Sequence, residues 1–159
     1  MHLEPRPRLL RRVVIGVGNP WRGDDALGLE VAERVKLRAP DIEVKAYRGD
    51  VLDVCAVWNH AELAVVVDAM ASKEMPGTIR RYDVCGATLP YAAFRGSTHA
   101  FGLGDAVALA CAIGALPPRL VVYGVVGARF DLGQVMSPAV ARVLDDLVEQ
   151  ILVECAAHA

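Results

Sequence analysis

No apolar run in the 159-residue sequence approaches the ~20 residues that cross a bilayer, so no membrane insertion is expected. A basic excess is missing too. The 17 Lys and Arg stand against 19 Asp and Glu, and a formal charge of -2 with a pI near 6.1 leaves no footprint for nucleic acid. Cys55, Cys85, Cys111 and Cys155 are widely spaced with no CxxC, which argues against a disulfide framework or a zinc knuckle. Reduced thiols in the cytoplasm are the expectation, with Cys55, Cys111 and Cys155 as small buried hydrophobes. HExxH and GxSxG are absent and no cysteine stands beside a partnered histidine, which disfavours zinc-protease, serine and thiol mechanisms. Arg6, Arg8, Arg11 and Arg12 crowd the start, but no apolar segment with a small-residue cleavage site follows them. Residues 1–12 therefore read as a flexible basic arm.

What is present fits one domain over 1–159, because a chain of this length buries roughly 70% of its unfolded surface without a staple. Val13–Gly18 is a continuous apolar run closed by glycine, the pattern of a strand covered on both faces. Leu27, Val31 and Val35 then recur four apart as the core stripe of a helix over 26–37, which Pro40 ends. Ile42–Tyr47 reads as a second strand, 51–59 as a short helix, and Leu63–Val67 as a third strand terminating in Asp68. After Pro76-Gly77, Thr78–Val84 has the mixed character of an antiparallel edge strand, since the connection is too short for a parallel crossover. A helix over 100–114, with Ser97 or Thr98 to cap it, precedes the strand Leu120–Val126. Ser137 as N-cap and Pro138 at the first position open the last helix, where Val140, Val143, Leu144, Leu147, Val148, Ile151, Leu152 and Cys155 recur at three-four spacing. The alternation predicts an α/β three-layer sandwich: a central, mostly parallel sheet of about five strands between helices.

Three residues stand where these elements hand over: Asp25, Asp68 and His99. In open α/β sheets ligands gather outside the carboxyl ends of the strands, and all three fall on that side of the pattern. Gly16, Gly18 and Gly23 let the segment VVIGVGNPWRGDDALGLEVAERV turn tightly, with Asn19 as a loop-fixing amide. Asp24 and Asp25 follow at the helix start. Neighbouring carboxylates point apart, so one is expected to cap the helix and the other to face the cleft. Asp68 follows an apolar run and has to leave the core or be paired. His99 precedes a helix whose positive end disfavours imidazolium and leaves a lone pair for a metal. Each residue alone also has a purely structural reading, as a cap or a turn; the conjunction is what suggests an O, O, N ligand set. Trp21 reads as a lid over the core rather than an exposed recognition surface.

At this point IGVGNPWRGDDALG at 15–28, VVVDAM at 65–70, STHAFGLGDAVALA at 97–110 and YGVVGARFDLGQVMSPAVARVLDDLV at 123–148 resemble the nickel-iron hydrogenase maturation endopeptidases, in the same order. The resemblance implies an enzyme that removes the C-terminal extension of a hydrogenase large-subunit precursor after nickel insertion. It implies that Asp25, Asp68 and His99 are the metal-binding residues; the same three are expected to be catalytic, with nickel arriving with the substrate and other divalent cations able to occupy the site. YRGDVLDVC after the second strand and GVVGARFD after the fifth depart from the family pattern without touching those three residues. The sequence leaves open whether the metal polarises the scissile carbonyl or only licenses recognition while a carboxylate acts as base. It also leaves open a non-catalytic nickel-binding chaperone of the large subunit. A peptidyl-tRNA hydrolase-like esterase is a remoter alternative, because that class needs a histidine soon after the loop and a basic face. A monomer is the expected oligomeric state.

Overall fold

The computed structural model describes residues 10–48, 52–84, 89–94 and 102–157. The strands are β1 (Arg12–Val17), β2 (Glu43–Tyr47), β3 (Leu63–Met70), β4 (Ile79–Asp83) and β5 (Arg119–Val126). The helices are α1 (Leu27–Arg38), α2 (Leu52–Trp58), α3 (Leu103–Ala112), α4 (Pro138–Ala141) and α5 (Leu144–Ala156). Short 3-10 turns at Gly23–Ala26 and Tyr91–Phe94 precede α1 and α3.

The five strands form one sheet in the order β2-β1-β3-β5-β4, parallel except for β4, which runs antiparallel along the outer edge of β5. This is the expected three-layer α/β architecture. All eight residues of β3 are buried, as its near-continuous apolar sequence requires of a central strand covered on both faces. Side-chain alternation divides the core into two. Val13, Ile15, Ala64, Val66, Leu120 and Val122 face Val54 and Trp58 of α2 and Ala106, Val107 and Ala110 of α3. Val14, Val65, Val67, Val121 and Val125 face Leu27, Val31 and Val35 of α1 and Leu144, Leu147, Val148 and Ile151 of α5.

The chain goes from β1 outward to β2 through α1, then back across β1 to β3 through α2. Right-handed crossovers in opposite directions put α1 and α2 on opposite faces of the sheet. The reversal leaves a crevice between the carboxyl ends of β1 and β3. Glycines bring α1 close against it. A Cβ on Gly28 would lie 2.3 Å from the Val17 carbonyl oxygen and 2.5 Å from that of Val67, and one on Gly16 would lie 2.0 Å from the Gly28 carbonyl oxygen.

Several local expectations are corrected. β3 continues through Met70 because β5 pairs with it to the end, Asp68 lying opposite Gly124. Asp68 is thus inside the strand. α3 begins at Leu103 with Gly102 as its cap, the Asp105 carboxylate accepting the Gly102 N–H at 3.0 Å. The last helix is interrupted at Arg142 and Val143, so that α4 and α5 are separate. Arg12 is the first residue of β1 and donates to the Cys155 carbonyl at 2.8 Å, while Arg11 makes paired bonds to Glu43 at 2.9 and 3.0 Å. Those two arginines are therefore held rather than part of a loose arm. Cys155 is buried, which pushes its thiol up to about 11; Cys55 is partly buried, and Cys111 is exposed rather than buried. No helix among the described residues is long and apolar enough to cross a membrane.

Candidate active site at the β1 and β3 switch point

The loop between β1 and α1 closes on itself. The Asn19 N–H donates to the Asp25 carbonyl at 3.1 Å, the Asp25 N–H donates to the Arg22 carbonyl at 3.1 Å, and Asn19 Oδ1 accepts the Trp21 N–H at 2.9 Å. Asn19 therefore fixes the loop, as its residue type suggests. Gly23 takes φ +57, the left-handed region that glycine enters freely, and a Cβ on Gly18 would lie 2.0 Å from the Asp25 carbonyl oxygen. Only glycines allow a loop this tight.

The twin aspartates separate, and neither caps a helix. Asp24 is completely buried. Its Oδ2 accepts the N–H groups of Ala128 and Arg129 at 2.7 and 3.0 Å and the Ser137 hydroxyl at 2.9 Å, and its Oδ1 accepts the Ser137 N–H at 2.7 Å. Burial alone would raise its pKa, but these donors together outweigh burial and hold the carboxyl below its usual range. Ser137 does occupy the N-cap position of α4, yet its hydroxyl serves Asp24 and makes no cap bond. Asp24 thus binds the glycine loop to the segment after β5. Three further bonds reinforce that join: Gly133 N–H to the Trp21 carbonyl at 2.8 Å, Gly23 N–H to the Gln134 carbonyl at 3.1 Å and Arg22 Nε to the Phe130 carbonyl at 3.0 Å.

Asp25 is half-buried, and its pKa is raised chiefly by burial, with the Arg22 charge and the Asn19 amide opposing. Asp68 is only 7% exposed. Burial first, and the Asp25 charge second, push its carboxyl well above the usual range against the single helping amide of Ala69. By strand alternation Asp68 lies on the face that carries α3. A carboxylate inside β3 and one in the turn after the β1 loop therefore act on each other where water is scarce, and ionising both is costly. Such a pair gains from sharing a proton or from a cation between its oxygens, and the all-oxygen donor set suits a hard or borderline divalent ion.

Of the three residues the sequence singles out, Asp25 and Asp68 are among the described residues, and the Asp25 charge acts on the Asp68 carboxyl. His99 lies outside the described residues, as do Ser97, Thr98, Cys85 and the Gly49-Asp50 turn. Among the described residues no group of three His, Cys, Asp or Glu side chains is placed to hold a metal. Trp21 is 71% exposed and covers nothing, contrary to the expected lid. Sequence reasoning missed the pairing of Asp24 with Ser137 and the place of Arg22 beside Asp25. Only the doubled aspartate hints at either.

A family model described as hydrogenase maturation protease, HycI, matches residues 51–154. Hydrogenase 2 maturation protease of Escherichia coli (strain K12) is 26% identical over 149 residues, covering 90% of this chain and 89% of that protein. The solved structure of the hydrogenase maturating endopeptidase HybD from E. coli has a TM-score of 0.75 at 23% identity, covering 93% of each chain. That of the nickel-iron hydrogenase maturation protease HycI from Thermococcus kodakarensis KOD1 has a TM-score of 0.65 at 27% identity, covering 89% of each.

Proposed function

This chain belongs to the hydrogenase maturation protease family and is an endopeptidase of hydrogenase maturation, and from that premise we propose that it removes the C-terminal extension of a nickel-iron hydrogenase large-subunit precursor once nickel has been inserted. Asp25, Asp68 and His99 are proposed as the residues that meet the nickel of the precursor. The observation that supports the proposal is the Asp68 carboxyl, only 7% exposed inside β3 next to the β1–β3 switch point, whose pKa is raised by burial first and by the Asp25 charge second. A cation arriving with the substrate would relieve the repulsion that Asp25 exerts on Asp68, which is how the pair would favour loaded over unloaded precursor. His99 stands three residues before Gly102, the cap of α3, and α3 packs on the face that Asp68 shares. That position supports it as the third, nitrogen ligand.

When bound, the nickel supplies Lewis-acid polarisation to whatever oxygen it holds. The chain's own part is to position the scissile segment against the crevice. Arg22, fixed through its Nε to the Phe130 carbonyl, keeps a positive charge beside Asp25 and favours its ionised form. A second reading has a specific observation behind it. The high pKa of Asp68 favours a protonated carboxyl next to an ionised Asp25, and such a dyad takes and returns a proton as a water attacks the peptide carbonyl. In that reading the nickel only permits entry.

Incubating the purified protein with nickel-loaded and nickel-free precursor, followed by intact-mass measurement, tests the function. Truncation of the loaded precursor alone is expected. Binding with no mass change would make the protein a chaperone, and equal truncation of both forms would remove nickel from the recognition step.

A further inference from the structure

The segment from Ala128 to Ser137 contains none of the three proposed site residues, yet the loop that leads into Asp25 is tied to it at four successive residues. The Trp21 carbonyl accepts the Gly133 N–H at 2.8 Å, Arg22 Nε donates to the Phe130 carbonyl at 3.0 Å, the Gly23 N–H donates to the Gln134 carbonyl at 3.1 Å, and the Asp24 N–H donates to the Arg129 carbonyl at 2.7 Å. The Asp24 carboxylate closes the tie. It is fully buried and both of its oxygens accept N–H groups, so an amide in its place sets donor against donor. Asp25 is the next residue, and its backbone is gripped from the β1 side as well. Its N–H donates to the Arg22 carbonyl and its own carbonyl accepts the Asn19 N–H, each at 3.1 Å, and a Cβ on Gly18 would lie 2.0 Å from that same carbonyl oxygen.

We propose that Asp24 is a positioning residue for the cleavage: by lashing residues 21–24 to residues 128–137 it fixes where the Asp25 carboxylate stands relative to Asp68. The proposal rests on the protease reading for the reaction it serves. With no exposed surface Asp24 does not touch the precursor, so its effect passes through the backbone of Asp25. Reacting groups have to be held to within about 0.5 Å of their productive geometry, and a shift of about 1 Å can cost on the order of a hundredfold in rate. The segment after β5 therefore belongs to the working unit although it supplies no site residue.

Steady-state cleavage of nickel-loaded precursor by Asp24→Asn, under conditions where urea unfolding shows the variant fully folded, should show kcat lowered roughly tenfold or more with KM within about twofold. Gly23→Ala strains the same join while leaving the carboxylate in place, because Gly23 has φ +57 and a Cβ there would lie 2.6 Å from the Arg129 carbonyl oxygen; it should lose kcat in the same way. Ile151→Ala opens the core under α5 outside the joined loops and should keep wild-type kcat while lowering stability. Hydrogen exchange reads the positioning without any cleavage. In Asp24→Asn the amides of Asn19 and Asp25 should exchange roughly tenfold or more faster, relative to those of Val66 and Val122 in the sheet. Wild-type kcat in folded Asp24→Asn, or unchanged exchange at both loop amides, overturns the proposal. An equal loss of kcat in Ile151→Ala overturns it in favour of a general stability effect. Should wild-type protein leave the loaded precursor uncut, the protease reading fails, and the exchange rates still decide whether Asp24 holds Asp25 in place.

Discussion

Asp24 and Asp25 are adjacent in sequence, and the structure predicts opposite consequences for neutralising them. Asp24 accepts four hydrogen bonds in a fully buried position, three on Oδ2 and one on Oδ1. In Asp24→Ala three N–H groups and a hydroxyl lose their acceptor, each at about 1–3 kcal/mol before water and relaxation compensate. A loss of about 3–5 kcal/mol is expected from the four unpaired donors after that compensation. Asp24→Asn is milder. Its amide oxygen can take the Oδ2 place and keep three bonds, but the NH₂ then faces the Ser137 N–H, donor against donor, at about 2–3 kcal/mol. Ser137→Ala removes one bond and costs about 1 kcal/mol. Urea unfolding with linear extrapolation reads this series against a total of about 5–15 kcal/mol. The pH dependence has a definite sign. The folded-state pKa of Asp24 is depressed, so its contribution is complete above the unfolded carboxylate value near ~3.9 and disappears as pH falls through the lower folded value. The gap between wild type and Asp24→Asn should therefore be flat around neutrality and close in acid. An Asp24→Asn protein as stable as wild type at pH 7, or one less stable than Asp24→Ala, would refute the assignment of Asp24 as the acceptor that joins the two loops.

Asp68→Asn should stabilise the protein at pH 7 by about 2–4 °C in Tm, the shift that roughly 1 kcal/mol produces in a domain of this size, because it removes a carboxyl whose ionised form burial disfavours. Its folded pKa is raised, so wild-type stability is highest below the unfolded value and is lost as pH rises through the folded one; calorimetry should show the advantage of Asp68→Asn fading toward pH 4, and a lower Tm at pH 7 would contradict the burial argument. Asp25→Asn should move the titration of Asp68 downward, followed by carbon-13 NMR of its carboxyl, whereas an unmoved midpoint would show that the two carboxylates do not interact. Gly28→Ala should cost about 1–3 kcal/mol despite alanine's helix preference, since the added carbon meets the backbone oxygens of Val17 and Val67; a more stable variant in urea would show that α1 can lift off the strand ends without penalty.

The sheet was legible because buried strands advertise themselves. β1 and β5 are apolar after their first arginine and β3 is apolar except at Asp68, and the turn at Pro76-Gly77 is too short to carry a parallel crossover, which forces β4 to be antiparallel. The sites where the reading failed are those governed by partners far along the chain. A carboxylate interrupts the apolar run at Asp68 and resembles a strand end, yet β5 supplies ladder bonds through Met70. Ser137 has the ideal residue type and position for a helix cap, and local propensity carries no trace of Asp24, 113 residues away, which claims its hydroxyl. The doubled aspartate implied that the two side chains part, and they do: Asp24 is fully buried and Asp25 half-buried. That its neighbour joins two loops rather than capping α1 depends on the path of residues 128–137, which no periodicity records. Trp21 shows the same limit: its size suggests burial, while the tight loop fixed by Asn19 holds it outward.

The central claim is that the Asp25 and Asp68 carboxylates act with His99 as one site on the precursor. Intact-mass measurement of nickel-loaded precursor, incubated separately with Asp25→Asn, Asp68→Asn and His99→Ala proteins whose circular-dichroism spectra match wild type, tests it directly. Loss of the truncated product in all three is the predicted result, and wild-type processing by any one of them would contradict the account.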